Sequence, residues 1–116
     1  MNGLERLLDL LNGRGIPVKE DGFASIPKEH CFAVWSNTES VADGADDFSL
    51  FWEHTIVFRF NFKERRTAED RNLEKEIEAI LRGCGHFSRK RQYDSDMDAD
   101  TTTYTFEVTT DFEEDL

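Results

Sequence analysis

Covalent and rigid elements are scarce in this chain: two cysteines and two prolines in 116 residues. Cys31 and Cys84 stand far apart, and no leader-like apolar stretch precedes them. Both are therefore expected as reduced, buried thiols rather than as a disulfide. No apolar run approaches the roughly 20 residues of a membrane span. The opening residues, MNGLERLLDLLNG, carry acids and lack the apolar centre of a secretion signal. Internal repeats and low-complexity tracts are absent, so one domain over residues 1–116 is expected, with 113–116 as a frayed tail. No Gly-x-Ser-x-Gly, P-loop or Gly-x-Gly-x-x-Gly occurs, so no reaction is spelled out.

Positive charge is also short. Fourteen Lys and Arg face 25 Asp and Glu, for a net charge of −11. From Gln92 to Leu116 there are nine acids and no Lys or Arg. Such a surface repels phosphate, which argues against specific nucleic-acid binding. The cations cluster in Lys63–Arg71 and at Arg89–Lys90–Arg91. A molecule with acidic and basic faces can pair head-to-tail with copies of itself, although on charge alone plain solubility is the favoured account of the acidity.

What is abundant is phenylalanine, ten residues in a chain that is 38% hydrophobic. In His54–Phe62 (HTIVFRFNF), Ile56, Phe58, Phe60 and Phe62 alternate with Thr55, Val57, Arg59 and Asn61. This period of two predicts a strand with one continuous apolar face. After a charged link, Lys63–Arg66, a helix is expected over Thr67–Arg82, with Thr67 and Asp70 as capping box and Gly83 and Gly85 as the stop. Leu73, Ile77, Ile80, Leu81 and Cys84 give it an apolar stripe. An earlier helix carries Leu4, Leu7, Leu8 and Leu11, opens at Asn2 and stops at Gly13 and Gly15.

Further strands are expected at Cys31–Asn37, Phe48–Glu53, His86–Tyr93 and Thr101–Phe112, and a short one at Gly22–Ile26. Asp43–Gly44 marks a turn, and a bulge or break is expected near Glu53–His54. The order predicts an α+β domain: a mostly antiparallel β-sheet of four to five strands with two helices packed on one face.

Candidate sites are few. Asp94, Asp96, Asp98 and Asp100 superficially suggest a calcium loop, but loop positions 6 and 12 hold Ala99 and Thr105 instead of Gly and Glu. Cys84-x-His86 lacks zinc-site spacing, so His30, His54 and His86 default to surface residues. The carboxylates have no apolar setting that would suit acid–base work. No metal, cofactor or catalytic residue is therefore assigned. The remaining candidates are interaction residues: the aromatic pair Trp35 and Trp52, the acidic loop Asp43, Asp46 and Asp47, and the second acidic loop Asp94, Asp96, Asp98 and Asp100.

One resemblance gathers these features. A Leu-rich helix leads to Gly15–Ile16–Pro17 and to the strand Cys31–Phe32–Ala33–Val34–Trp35. An Ala42–Asp43–Gly44 loop, the long strand through Ile56–Phe62 and the helix Glu69–Leu81 follow. Gly83–Cys84–Gly85 and a last strand at Tyr104–Val108 complete the order. Over Leu4–Val108 the chain resembles the small tail-completion proteins (tail-terminator or head–tail joining) of long-tailed bacteriophages and prophages. The resemblance implies a non-enzymatic virion subunit of the tail or neck, present in host cytoplasm during assembly. It implies a ring of typically six copies that caps the tail tube and meets the head connector, with DNA passing through. The alternative is a small cytoplasmic module that binds a protein through the aromatic sheet region. A metal-dependent enzyme is the third possibility.

Overall fold

The computed structural model describes residues 2–43 and 50–111. Seven elements follow in order: α1 (Gly3–Gly13), β1 (Val18–Glu20), β2 (Cys31–Asp43), β3 (Leu50–Lys63), α2 (Ala68–Cys84), β4 (Phe87–Asp94) and β5 (Ala99–Asp111). They build one five-stranded sheet in the order β1-β2-β3-β5-β4. Only β1 runs parallel to its neighbour; every other pairing is antiparallel. The expected α+β architecture is the observed one.

β3 lies at the centre, paired with β2 on one side and β5 on the other. Its alternation sends Ile56, Phe58, Phe60 and Phe62 to one face, and all four are fully buried. Ala33 and Cys31 of β2 and Tyr104, Phe106 and Val108 of β5 share that face through the register. Leu4, Leu7 and Leu11 of α1 and Leu73, Ile77 and Leu81 of α2 close over it. Both helices therefore cover the same side. Phe58 and Phe60 stack with ring centres 5.2 Å apart, and Tyr104 meets Phe60 edge-on at 5.9 Å.

The helix ends follow from local chemistry. Asn2 accepts a hydrogen bond from the Glu5 N–H at 2.9 Å, which caps α1. At the other end Ile16 N–H reaches Leu11 O and Gly15 N–H reaches Asn12 O, at 3.0 and 3.2 Å. This Schellman closure needs a left-handed residue, and Gly15 supplies it at φ 68°. Thr67 and Asp70 form the reciprocal capping box of α2.

Several expectations are corrected. Pairing runs without a break through Glu53 and His54, opposite Ser40 and Glu39, so no bulge divides β3. The segment 22–26 is not a strand; the short strand is β1, upstream, at Val18–Glu20. Cys84 is exposed, while Cys31 is buried. Asp46, Asp47, Phe48, Gly44 and the tail 113–116 lie outside the described residues.

The sheet outruns its cover. Fourteen residues of β3 span about 46 Å at roughly 3.3 Å each. The 17 residues of α2 span only about 25 Å. The molecule is 51 Å along its longest axis. The Cβ position of Gly3, at the start of α1, lies beside Phe106, Cys84 and Leu81, so the helices end near that level of the sheet. Beyond it, Ser40–Asp43, Leu50–Glu53 and Thr109–Asp111 continue as paired strand. Val41 there is 51% exposed.

The one-sided core predicts unequal sensitivity. Phe60→Ala should lower unfolding free energy by about 3–5 kcal/mol. Thr105→Ala, on the opposite face, should stay within about 0.5 kcal/mol. Urea denaturation of both variants measures this, and similar losses would contradict a single-faced core.

Candidate interaction site

The charged face of α2 is built by helical spacing. Asp70, Glu74 and Glu78 recur at i, i+4 and i+8 and turn toward the sheet. Glu74 and Glu78 take partners there, whereas Asp70 serves the helix cap and His30. Asp70 Oδ2 accepts from Thr67 N–H at 2.8 Å and lies 2.6 Å from His30 Nε2. Glu74, with no exposure, accepts from Arg91 Nη2 at 2.6 Å and from the Thr102 hydroxyl. Arg66 Nε stands 3.3 Å from Glu74 Oε2 as an ion-pair contact without a hydrogen bond. Arg66 is held further by Thr102 Oγ1 at 2.7 Å and by the Phe62 ring, 5.4 Å below its guanidinium. Glu78 accepts from Arg89 Nη1 at 2.9 Å and from the Tyr104 hydroxyl at 3.2 Å.

This acidic seam tunes its neighbours. Burial, with Asp70 and Glu74 nearby, pushes the Cys31 thiol up to about 12. Cys31 is therefore a protonated core thiol at neutral pH rather than a nucleophile. Burial, with Glu74 and Glu78 nearby, raises the Tyr104 phenol. The Glu74 hydrogen bond raises the Arg91 guanidinium. Glu74 is fully buried, in a polar setting of converging donors rather than an apolar one. A charged residue inside a charged helix stripe gives no periodic signal of burial, so sequence reasoning missed it.

One position around the helix, Arg71, Lys75 and Arg82 form a second stripe, with Arg89 and Arg91 facing it from β4. With Glu78 they line a groove of about 440 Å³ between α2 and β4. Among the described residues, Arg71, Lys75 and Arg82 enter no ion pair. The groove is cationic in a chain of net charge −11. The two basic sequence clusters pointed to its ends, and the i, i+4, i+11 spacing of 71, 75 and 82 would have shown the stripe on α2.

The expected interaction residues are dispersed. Trp35 and Trp52 share the helix-side face of the sheet, both half-buried, but stand at different levels. Trp35 is opposite Phe58, and Trp52 lies between Val41 and Thr110 near the distal end. Asp43 ends β2 opposite Leu50. The loop aspartates are engaged within the molecule. Asp94 pairs with Arg59 at 2.7 Å and accepts from Asp96 N–H at 3.0 Å. Asp98 accepts from the Tyr93 hydroxyl at 2.6 Å, and Asp100 accepts from Arg66 N–H at 2.7 Å. Asp96 remains exposed.

His54 is corrected from surface to interior, at 2% exposure. Asn37 Nδ2 lies 3.2 Å from its Nδ1, and Thr110 Oγ1 lies 2.9 Å from its Nε2. Glu39 Oε2 stands 3.4 Å from Nδ1. His54 thus ties β2, β3 and β5 together where the helices stop. Among the described residues, no group of three or more His, Cys, Asp or Glu is placed to hold a metal ion. No helix among them is long and apolar enough to cross a membrane.

The seam predicts a graded cost. Glu74→Gln leaves Arg66 facing no carboxylate in a buried setting and should cost about 3 kcal/mol. Arg89→Ala breaks a pair whose arginine side chain is 37% exposed and should cost under about 1 kcal/mol. Equal losses in denaturant titrations would contradict a structural role specific to Glu74.

In comparisons with known proteins, no family model and no curated protein sequence matches the chain.

Proposed function

We propose that this chain is an assembly subunit of the tail-completion kind found in long-tailed bacteriophages and prophages. In that role it closes with copies of itself into a ring at the end of a tail tube, beneath the head connector. The observation that carries the reading is the separation of two unlike surfaces on one rigid sheet. The distal end holds Glu39, Glu53 and Asp111 on adjoining strands, and residues 29–58 contain six acids and no Lys or Arg. The cationic groove lies on the outer edge, along β4 and α2. Unlike surfaces on one subunit suit a heterologous contact, and such contacts close into rings when the rotation permits.

The element order adds support. A Leu-faced helix, a Gly–Ile–Pro link, a long hairpin, a capped helix and a final hairpin are the features on which the resemblance rests. An acidic surround would let DNA pass a lumen without adhering. On this reading the protein works in host cytoplasm during assembly and ends in the virion tail or neck.

Light scattering after size exclusion, over a wide concentration range and at two salt levels, tests the proposal. A discrete closed oligomer near six copies that weakens with salt is expected. A monomer at every concentration and at low salt would contradict it.

A further inference from the structure

We propose that the α2–β4 groove is the receptor for the acidic distal end of a second copy of this chain. The inference rests on the reading of the chain as a self-assembling subunit and names the surfaces that meet. Its first support is the cation count. Arg71, Lys75, Arg82, Arg89 and Arg91 line the groove, against the single lining carboxylate of Glu78. Glu74 behind it is already shared between Arg91 and Arg66. The groove therefore retains surplus positive charge after its internal pairs are satisfied.

The second support is position. β4 is an edge strand that pairs only with β5, so the groove opens along the rim of the sheet. The acids that complement it are at the distal end. Glu53 lies opposite Ser40 and Thr109, and Asp111 opposite Phe51. Both sit on paired strands anchored in the sheet and cannot fold back onto α2. The contact can therefore form only between copies.

The third support is chemistry. Arginines present planar donor forks that suit carboxylates, and four of the five cations are Arg, with no internal ion pair committed to Arg71 or Arg82 among the described residues. A phosphate polymer would meet the same donors but also the repulsion of a −11 chain. A second copy delivers its carboxylates on a fixed strand end.

The test is a charge swap. One variant carries Arg71→Glu, Lys75→Glu and Arg82→Glu, all at exposed positions. A second carries Glu53→Lys and Asp111→Lys. A third combines all five changes. Thermal melts by circular dichroism confirm that each is folded, and sedimentation equilibrium reads association. Each single-sided variant should lose at least tenfold in association constant, and the five-fold swap should recover most of it. Wild-type assembly with an unaffected groove variant would overturn the groove contact while leaving self-assembly standing. A monomeric wild type would overturn both. A short single-stranded oligonucleotide provides the remaining arm. If it binds wild type and fails on the groove variant while assembly is unchanged, the groove is a phosphate site and the proposal is wrong.

Discussion

The structure depends on one buried row of side chains. Ile56, Phe58, Phe60 and Phe62 project from β3 to the same face and are removed from water completely. Each such burial is worth roughly 1.5–3 kcal/mol. β3 also pairs over 13 residues with each of its two neighbours, β2 and β5. Sheet and helix layer therefore meet on this row. α1, at 11 residues, is too short to be stable alone, and both helices dock here by their Leu and Ile stripes. The opposite face is covered at one end, where Phe32 and Asn61 are buried and Phe23 meets Phe32 edge-on at 5.9 Å, and is more open elsewhere. Thr55, Val57, Thr103 and Thr105 there are half-buried, and β2 adds exposed Ser36 and Thr38.

Charge is arranged around that core. Glu74 and Glu78 fasten α2 to the sheet by accepting from Arg89, Arg91, Thr102 and Tyr104, with Arg66 as an ion-pair contact of Glu74. Burying Glu74 is costly, and the cost is offset only because several donors converge on it. The same arrangement brings Arg89 and Arg91 beside Arg71, Lys75 and Arg82. A cationic rim thus arises as a by-product of fixing the helix. At the distal end the sheet carries acids and is held by strand pairing and by the His54 clamp. These are the two unlike surfaces on which the proposed assembly role rests.

Much of the fold was legible in the sequence. The alternation in His54–Phe62 marked the central strand, because one face is wholly apolar and the other is not. Thr67 and Asp70 marked the start of α2, because capping is a local interaction. β1 was missed because Val18–Glu20 is three residues long and pairs in parallel with β2 at Ala33–Trp35, a contact set by tertiary packing. The break expected at Glu53–His54 failed for a related reason: a polar His in an apolar face looks like an interruption, yet here its ring nitrogens are satisfied across three strands. The candidate site was half legible. The basic clusters were visible, but their union required knowing that β4 lies beside α2. The loop aspartates looked like surface charge, and three of them turned out to hold the turn and the α2 entry in place.

The most direct test of this account is native-state amide hydrogen exchange along β3. If the core ends near His54, the amides of Ile56–Phe62 should exchange only through global unfolding, with protection equal to the denaturation free energy. Those of Leu50–Glu53 should exchange through smaller, local openings. Uniform protection along β3, or the highest protection at the distal end, would contradict a sheet that is anchored by one buried row and extends beyond it.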